Sequence, residues 1–393
     1  MNSPSLRIVW VCGMAFHEWA EQAIREMQAQ GHDVILLCPE AAGSARAAAE
    51  KGFSPETYRA PQRFSDLVGQ VRVTRELTAL FRKLKPTVVY VGMMPACFWM
   101  RVAARRAGVP VRVNKPASLW DYNTRVYRWI ERATAWMDSF VLASSLPLKH
   151  MYEAFPFLRR RVHLSYYGMD LGPYDKPSDS AVLRTSLGFA PDDFVVALIA
   201  YLIPPIATVN PHIGLKGHEV LIDSLARLHP THPHLRLLIV GGEHGGPGAY
   251  TAGLKALAVQ RGISGITVFT GHVPNPTPLF EVADVVVVPS LSENVGGPVP
   301  AFLKQRPVIA SCVGGLPDVV KEGETGLLVP PADAAVLADA IARIAQLSPN
   351  ERKEMGNRGS ILCREMFDIK RVIRYEMNLC FQVLASGRPE TQR

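Results

Sequence analysis

A short apolar run, Val285 to Val288, limits the folds open to this 393-residue chain more than any other stretch. Consecutive β-branched residues have the length and composition of a parallel strand that is buried on both faces. A polar loop follows, and Gly296-Gly297 then leads into an apolar segment predicted to be a helix of about two turns that ends near Gln305. A second buried strand is predicted from Pro307 to Ala310. The stretch is therefore predicted to form part of a parallel α/β sheet.

The glycine pair and the acid before it predict a ligand. Glycines between a strand and a helix N-terminus let a ligand approach bare backbone N–H groups, which suit a phosphate or a developing oxyanion. The carboxylate of Glu293 is badly placed for phosphate and well placed to accept hydrogen bonds from sugar hydroxyls. Together these features indicate a nucleotide-sugar. The alternative is that Gly296-Gly297 is only a tight connection and Glu293 a solvated loop residue.

This stretch resembles the donor-site signature of the retaining glycosyltransferases of family 4, which have the GT-B fold. That signature reads roughly P-S-x-x-E-x-x-G, a helix, P-V-I-A-S-x-x-G-G-x-P-E-x-V and G-x-T-G-x-L-V-P. The matching residues are Pro289-Ser290, Glu293, Gly296, Pro307-Val308-Ile309-Ala310-Ser311, Gly314-Gly315, Pro317-Asp318 and Gly323-Glu324-Thr325-Gly326-Leu327-Leu328-Val329-Pro330. So many matches are far more specific than a lone glycine motif. The resemblance implies an α/β protein with two Rossmann-like doubly wound domains that face each other across a cleft.

The same resemblance implies a domain organisation. Residues 1–172 are predicted to form an acceptor-side Rossmann-like domain, and residues 173–368 a nucleotide-sugar donor domain. A helix in 369–393 is expected to cross back to the first domain. The N-terminal sequence agrees with this, because the buried strand RIVWVC at 7–12 precedes an amphipathic helix from His17 to Gln30, the usual opening of a doubly wound domain.

The acceptor-side candidates follow from strand ends in the first domain. Ligands bind such sheets at the carboxyl ends of strands, which places Gly13 and His17 at the rim of the predicted cleft. A lone histidine is more often structural than catalytic. Lys115 belongs to a second candidate, the long loop 114–123, which also follows a strand and carries mixed polar and aromatic groups.

The donor diphosphate has its own predicted ligands. In the family, a Gly-Arg after the first strand of the second domain and a Lys-Gly shortly afterwards hold the diphosphate. Lys216-Gly217 matches the second pair, and a lysine entering a helix N-terminus is a sound phosphate ligand. Lys216 is therefore predicted to be catalytic together with Glu293; the alternative is a plain surface lysine. The Arg position holds Tyr201, and the excursion 205–213 lengthens the spacing.

Other donor-side positions complete the predicted site. The resemblance implies that backbone groups hold the nucleotide base, and it implies further donor contacts beside Glu293. The full set of donor-binding candidates is Tyr201, Gly217, Glu243, Gly271, His272, Val273, Asn294, Val295, Gly296 and Gly297.

One departure from the family is serious. Family members carry a second glutamate seven or eight positions after the first, where it grips the ribose hydroxyls, and Pro300 and Ala301 stand there in this chain. Three alternatives remain open. Glu243 or the excursion 205–213 holds the donor differently, the donor differs from the usual nucleotide-sugars, or the protein is a silenced relative.

The implied function is transfer of a sugar from a nucleotide-sugar to a hydroxyl of a glycan, a lipid-linked acceptor or a small molecule. Retention of anomeric configuration and a role in cell-surface polysaccharide or glycoconjugate biosynthesis come with the resemblance. No cofactor and no metal are expected, since Lys216 would neutralise the leaving group and no Asp-x-Asp pair ends a strand. The alternatives are a silenced GT-B protein that binds or scaffolds another transferase, and a GT-B enzyme such as a nucleotide-sugar epimerase.

The net charge of +8 suggests where the protein acts, because its cationic excess lies within the first 170 residues. Between Arg72 and Arg112 nine basic residues accompany one acid, an arrangement that suits an anionic membrane surface or a phosphorylated substrate. A generic solvated basic face is the alternative. No nucleic-acid module is recognisable. Six scattered cysteines are expected to be reduced core residues, and no leader is recognisable, so we expect a cytoplasmic protein attached peripherally to the inner face of the plasma membrane.

Overall fold

The computed structural model describes residues 4–13, 15–60, 66–91, 97–116, 125–243, 246 and 248–386. The chain divides into two compact units: unit 1 comprises Met1–Asp170 with Met366–Arg393, and unit 2 comprises Leu171–Glu365. Each unit contains a parallel sheet with flanking helices, so the predicted α/β, doubly wound architecture is confirmed.

The sheet of unit 1 has seven parallel strands among the described residues, in the order β3-β2-β1-β4-β5-β6-β7. The chain reverses its direction of travel across the sheet at β1, so β1 lies between β2 and β4. The strands are β1 Arg7–Val11, β2 Asp33–Pro39, β3 Glu56–Tyr58, β4 Val88–Val91, β5 Val111–Asn114, β6 Phe140–Ala143 and β7 Val162–Leu164.

Alternate residues of β1 face opposite layers of helices, as the period of two in a strand requires. Ile8 and Trp10 pack in the cluster that contains buried residues of α1 and α16. Val9 and Val11 pack with α3 and α4 on the other face. The helices of unit 1 are α1 Glu18–Ala29, α2 Gly43–Glu50, α3 Leu67–Leu84, α4 Cys97–Arg106, α5 Arg125–Thr134, α6 Leu146–Glu153 and α16 Ile369–Ser386.

In the described part of unit 2, the sheet has six parallel strands in the order β12-β11-β8-β13-β14-β15, and a short antiparallel hairpin pairs β9 with β10. The strands are β8 Phe194–Ile199, β9 Pro205–Ile206, β10 Asn210–Gly214, β11 Leu235–Val240, β12 Thr267–Gly271, β13 Val285–Val288, β14 Val308–Ser311 and β15 Gly326–Val329. The helices are α7 Gly172–Asp175, α8 Ser180–Ser186, α9 His218–Leu228, α10 Ala249–Gln260, α11 Thr277–Val282, α12 Val299–Leu303, α13 Leu316–Val319, α14 Ala334–Gln346 and α15 Pro349–Phe367, the last of which runs two residues beyond unit 2.

The last helix, α16, is part of unit 1. Ile373 and Cys380 of α16 are fully buried in its core. The backbone N–H of Met169 donates to the carbonyl of Phe367 at 2.7 Å. A Cβ on Gly168 would lie 2.9 Å from the Cα of Ile369, so only glycine permits this close approach.

Several elements differ from the sequence-based prediction. The strands β3 and β7 were not predicted, because three residues are too few to show a period. The helix α12 has five residues and ends at Leu303, short of the predicted two turns. Gln305 has a left-handed backbone with φ 54°, which a continuing helix cannot contain. Residues 14, 117–123, 244, 245 and 247, which belong to predicted rims and turns, lie outside the described residues.

Two predictions about surface and core need correction. Four of the five cysteines whose side chains are described are buried and free, but Cys312, directly after β14, is exposed. The basic region 72–112 is not a single solvent face, because Arg101 is fully buried and Arg112 donates to the carbonyls of Met137 and Val109, both at 2.6 Å. Of the helices in the described residues, none combines the length and apolar character that a bilayer span requires.

Candidate functional site

The loop that carries Glu293 packs against Gly314, which lies in the loop after the neighbouring strand, β14. Glu293 follows β13, and Gly314 follows β14, so both lie at the carboxyl edge of the unit 2 sheet. Gly314 has φ 53°, and a Cβ there would lie 1.8 Å from the carbonyl oxygen of Glu293. Any side chain at position 314 would therefore displace the Glu293 backbone.

The turn that carries Lys216 rests directly on the same loop. Gly217 has φ 70° and directly precedes α9; a Cβ there would lie 2.0 Å from the carbonyl oxygen of Pro289. Farther along the loop, the N–H of Leu291 donates to the carbonyl of Leu215 at 2.9 Å. The two segments, far apart in the sequence, are therefore locked backbone to backbone.

This contact brings together the two predicted catalytic residues. The ammonium group of Lys216 forms an ion pair with Oε2 of Glu293, and the two side chains keep 19% and 15% of their surface exposed. Ser290 Oγ donates to the same carboxylate oxygen at 3.4 Å, and the N–H of Asn294 donates to Oε1 at 3.2 Å. The pair is held firmly but remains open to solvent on one side.

The glycine pair after Glu293 offers backbone donors. In the described part of the chain, the N–H groups of Gly296 and Gly297 donate to no backbone carbonyl. Gly297 lies close to the strand, since a Cβ there would approach Val288 Cγ1 at 2.9 Å, whereas Gly296 has open space. The side chain of Val295 is buried and anchors this turn. The following helix is short, so any dipole contribution at this point is small.

The positions where the family carries its second glutamate lie within α12. Ala301 is fully buried in the core, and Pro300 is in the first turn of the same short helix. Neither can offer a carboxylate to a ribose. The structure thus places no acid at this point of the described site.

A second group of predicted donor residues meets at the carboxyl ends of β8, β11 and β12. The N–H of Leu202 donates to the carbonyl of Gly242 at 3.1 Å and joins the segments after β8 and β11. The rings of Tyr201 and His272 are nearly parallel, 14° apart, with centroids 6.4 Å from each other. Tyr201 is half exposed. Gly271, with φ 71°, ends β12 next to His272, and Val273 follows.

Glu243 has a role that its sequence position did not reveal. Its Oε1 accepts hydrogen bonds from the backbone N–H of Gly248 at 3.1 Å and of Thr251 at 2.6 Å, and from Thr251 Oγ1 at 2.5 Å. The bonds from Thr251 lower the pKa of this carboxyl group. Glu243 thus caps the start of α10, as acids do at helix N-termini.

His218, which was not predicted, is buried immediately after the Lys216-Gly217 turn. Desolvation, with a smaller contribution from the charge of Lys216, lowers its pKa to about 3. Neither ring nitrogen has a hydrogen-bond partner in the described residues. The imidazole is therefore neutral near pH 7, so its ring does not add a second positive charge beside the ammonium group of Lys216.

The acceptor-side candidates lie in unit 1. Gly13 follows β1, and His17 is the residue before α1, with its ring 6.3 Å from that of Trp19 and its pKa lowered by desolvation. Lys115 is buried and pairs with Glu376 of α16. This pairing was not predicted, because nothing in the sequence links positions 115 and 376. The acceptor-side roles stay predictions.

Comparisons with known proteins find family matches in both units. The family described as "Glycosyl transferase 4-like domain" matches residues 18–168, and "Glycosyl transferases group 1" matches residues 206–346. D-inositol 3-phosphate glycosyltransferases of Mycobacterium bovis and Mycobacterium tuberculosis are 33% identical to the chain over 204 residues, which are 51% of this chain. The match covers only 39% of the length of these curated relatives.

Solved structures share the fold at low sequence identity. Anabaena HepE in complex with UDP has a TM-score of 0.80 at 19% identity, over 97% of this chain and 100% of that one. A glycosyltransferase from Rickettsia africae has a TM-score of 0.82 at 13% identity, over 98% and 100%. Sucrose-phosphate synthase from Thermosynechococcus elongatus has a TM-score of 0.74 at 21% identity, over 96% and 99%.

Proposed function

Because this chain belongs to the family 4 glycosyltransferases of the GT-B fold, we propose that it transfers a sugar from a nucleotide-sugar to an acceptor hydroxyl group. The observation that carries the proposal is the meeting of Lys216 and Glu293 at the carboxyl edge of the unit 2 sheet. Ligands of parallel α/β sheets bind at that edge. A cation for phosphate and an acceptor for sugar hydroxyls are side by side there.

Lys216 would stabilise the departing diphosphate. Transfer breaks the bond between the anomeric carbon and the diphosphate, so negative charge grows on the phosphate oxygens. The ammonium group and the bare N–H groups of Gly296 and Gly297 are donors fixed in advance for that charge. One such donor is worth about 3 kcal/mol in the transition state. With these groups neutralising the leaving group, the proposed reaction uses no metal and no further cofactor.

Glu293 would orient the sugar. Its ion pair with Lys216 would open when the donor binds, because phosphate then takes the ammonium group and sugar hydroxyls take the carboxylate. Lys216 thus exchanges one anionic partner for another, and Glu293 exchanges its ion pair for hydrogen bonds from neutral hydroxyl groups. We propose that the acceptor hydroxyl attacks on the leaving-group face with retention, as in the rest of the family.

The nucleoside would lie beside Tyr201 and residues 271–273. UDP is bound in the solved HepE structure, so UDP-sugars are the first donors to test. Glu243 caps α10 through Oε1, and we propose that it does not replace the missing second glutamate. Losing charge-assisted bonds to the ribose weakens donor binding by roughly 1.5–3 kcal/mol per bond. We therefore expect a weaker donor complex than one with both glutamates.

The acceptor would be a glycan or a lipid-linked saccharide used in cell-surface polysaccharide or glycoconjugate biosynthesis. Gly13 and His17 are proposed to contact it. Lys115 is proposed to support this side of the site indirectly, because it is buried in an ion pair with Glu376.

Product analysis tests the proposal. We expect the purified chain, given a panel of nucleotide-sugars and lipid-linked or soluble acceptors, to form a glycosylated product in the presence of a chelator. UDP or another nucleoside diphosphate should also raise the melting temperature. A raised melting temperature without any product would favour the alternative that the chain is a silenced protein that binds or scaffolds a partner. No rise in melting temperature and no product would reject the proposed enzyme.

The basic region 72–112 supports peripheral membrane binding. Seven of its cations are exposed on or next to α3 and α4: Arg72, Arg75, Arg82, Lys83, Lys85, Arg105 and Arg106. The exposed Val68 and Val71 begin the same helix, α3. Each basic residue near an anionic surface contributes about 1 kcal/mol.

We expect the chain to co-sediment with phosphatidylserine vesicles and not with neutral ones. Arg72→Gln/Arg75→Gln should lower the partition coefficient for phosphatidylserine vesicles by about thirtyfold, since two residues contribute about 2 kcal/mol. The matched control Arg227→Gln/Lys255→Gln removes two exposed cations from α9 and α10 and should bind as the wild type does. Equal binding to both kinds of vesicle would reject this attachment.

A further inference from the structure

Unit 2 contains a cavity of about 630 Å³ on the side of the sheet opposite the Lys216–Glu293 pair. Asp284 and Pro307, which line it, come directly before β13 and β14, so the cavity lies at the amino ends of these strands. Pro349, the first residue of α15, closes another side. Both strands have four residues, which separates the two edges by about 13 Å.

The cavity has an excess of positive charge. Six cationic side chains line it against three carboxylates. The cations are Lys176, Lys304, Arg306, Arg352, Lys353 and Arg364, and the acids are Asp175, Glu281 and Asp284.

Packing fixes the loop that supplies two of these cations. Gln305 has φ 54°, a conformation that a residue with a side chain adopts only at a cost. A Cβ on Gly356 of α15 would lie 2.2 Å from the Gln305 carbonyl oxygen, so α15 presses on this loop backbone. Lys304, the residue before Gln305, forms an ion pair with Glu281 and donates a hydrogen bond to the carbonyl of Lys176 at 2.6 Å. The strained loop thus holds its cations in place.

The arginines around the cavity outnumber their acidic partners. The carboxylate of Asp284 accepts a hydrogen bond from Nη1 of Arg184 at 3.2 Å, and its other oxygen lies 3.6 Å from Nη2 of Arg352. Arg306 donates through Nη2 to the carbonyl of Glu281 at 2.9 Å, and its Nε has no partner among the described residues. Desolvation lowers the pKa of Arg306, the carboxylates of Asp284 and Glu281 raise it, and the positive charges of Arg184 and Arg352 lower it by less. Because the pKa is lowered on balance, the nearby acids do not fully offset desolvation and repulsion from the two arginines, and an additional anion would offset the remainder.

We propose that this cavity binds a small phosphate-bearing anion at a site separate from the donor site. Guanidinium groups match phosphate oxygens in pairs of parallel hydrogen bonds, and lysines add point charges. Uncharged sugars would leave the positive excess unbalanced. The site rests on side chains that the proposed transfer reaction does not use.

Isothermal titration of the full chain with inorganic pyrophosphate tests the site. The Lys216→Ala background removes the ammonium group proposed for the donor diphosphate, and we expect one saturable binding event to remain. Adding Lys176→Gln/Lys353→Gln should weaken that event by about tenfold. Both lysine side chains are exposed and form no ion pair in the described residues, and the Lys176 carbonyl that accepts from Lys304 is kept in the variant, so folding should not be disturbed.

A matched control separates this site from general charge. Arg227→Gln/Lys255→Gln in the same background removes two exposed cations that do not line the cavity. It should change the dissociation constant for pyrophosphate by less than about twofold. Loss of all pyrophosphate binding in Lys216→Ala, or equal weakening by both double variants, would overturn the proposal. A finding that the chain transfers no sugar would leave the proposal intact, because the titration measures binding and not transfer.

Discussion

Lys216→Ala should lower kcat for sugar transfer by a factor of about 10²–10³, the usual loss when one preorganised donor leaves a transition state. The ammonium group is the only side-chain cation that pairs with Glu293 in the described residues. Its removal takes away the charge proposed for the departing diphosphate. The measurement is steady-state transfer from the donor identified by product analysis.

The fold should survive the same substitution. Lys216 keeps a fifth of its side chain in solvent, so losing its ion pair should change the free energy of unfolding by about 1 kcal/mol. Lys255→Ala, an exposed lysine on α10, is the matched control and should keep the wild-type rate. Full activity of Lys216→Ala would remove the phosphate role from this residue.

The fold could be predicted from the sequence because strands of a buried parallel sheet consist of continuous apolar residues. Val285–Val288 appears in the structure with the predicted bounds, and the predicted strand at Pro307 begins one residue later, at Val308. Proline cannot donate to the sheet ladder, which explains the shift. Elements of three residues, such as Glu56–Tyr58, could not be predicted because a period needs more positions.

The meeting of Lys216 and Glu293 could also be anticipated, since both follow strand ends at one edge of one sheet. What could not be anticipated is how tightly their loops are joined. The sequence marked Gly296-Gly297 as the turn that matters for a ligand. In the structure, Gly217 lets the Lys216 turn touch the loop that carries Glu293, and Gly314 lets the segment after β14 touch the same loop. Positive φ and backbone contact leave no periodic trace in a single sequence.

Charged residues were the least predictable from the sequence. Arg101 lies among the basic residues of 72–112 and gives no sign of being fully buried. Lys115 and Glu376 pair across 261 positions of sequence. Partners so distant can be assigned only when the fold has placed them, and the sequence alone therefore overestimates the solvent-facing basic surface.

Arg101→Met should destabilise unit 1 by about 3–5 kcal/mol, the usual cost of leaving buried charges without their partner. The guanidinium donates to Glu131 at 2.6 and 2.7 Å, and to Asp138 at 2.6, 2.9 and 3.0 Å. All three side chains are almost completely buried. Methionine retains much of the volume but leaves both carboxyl groups in the core without the guanidinium group, and among the described residues Glu131 keeps only its hydrogen bonds from Asn114 and Tyr152.

Tryptophan fluorescence during urea unfolding measures this effect in unit 1 alone, because all six tryptophans lie within Met1–Asp170. Arg105→Met on the same helix is the matched control. Arg105 is exposed and lies 4.7 Å above the Trp136 ring, an interaction worth about 0.5–1 kcal/mol at such sites. A free energy of unfolding for Arg101→Met no lower than that of the control would show that the buried ion cluster does not stabilise the unit. A loss restored by adding Glu131→Gln and Asp138→Asn would instead identify the unpaired carboxylates as its cause, because neutral side chains cost less to bury without a cation.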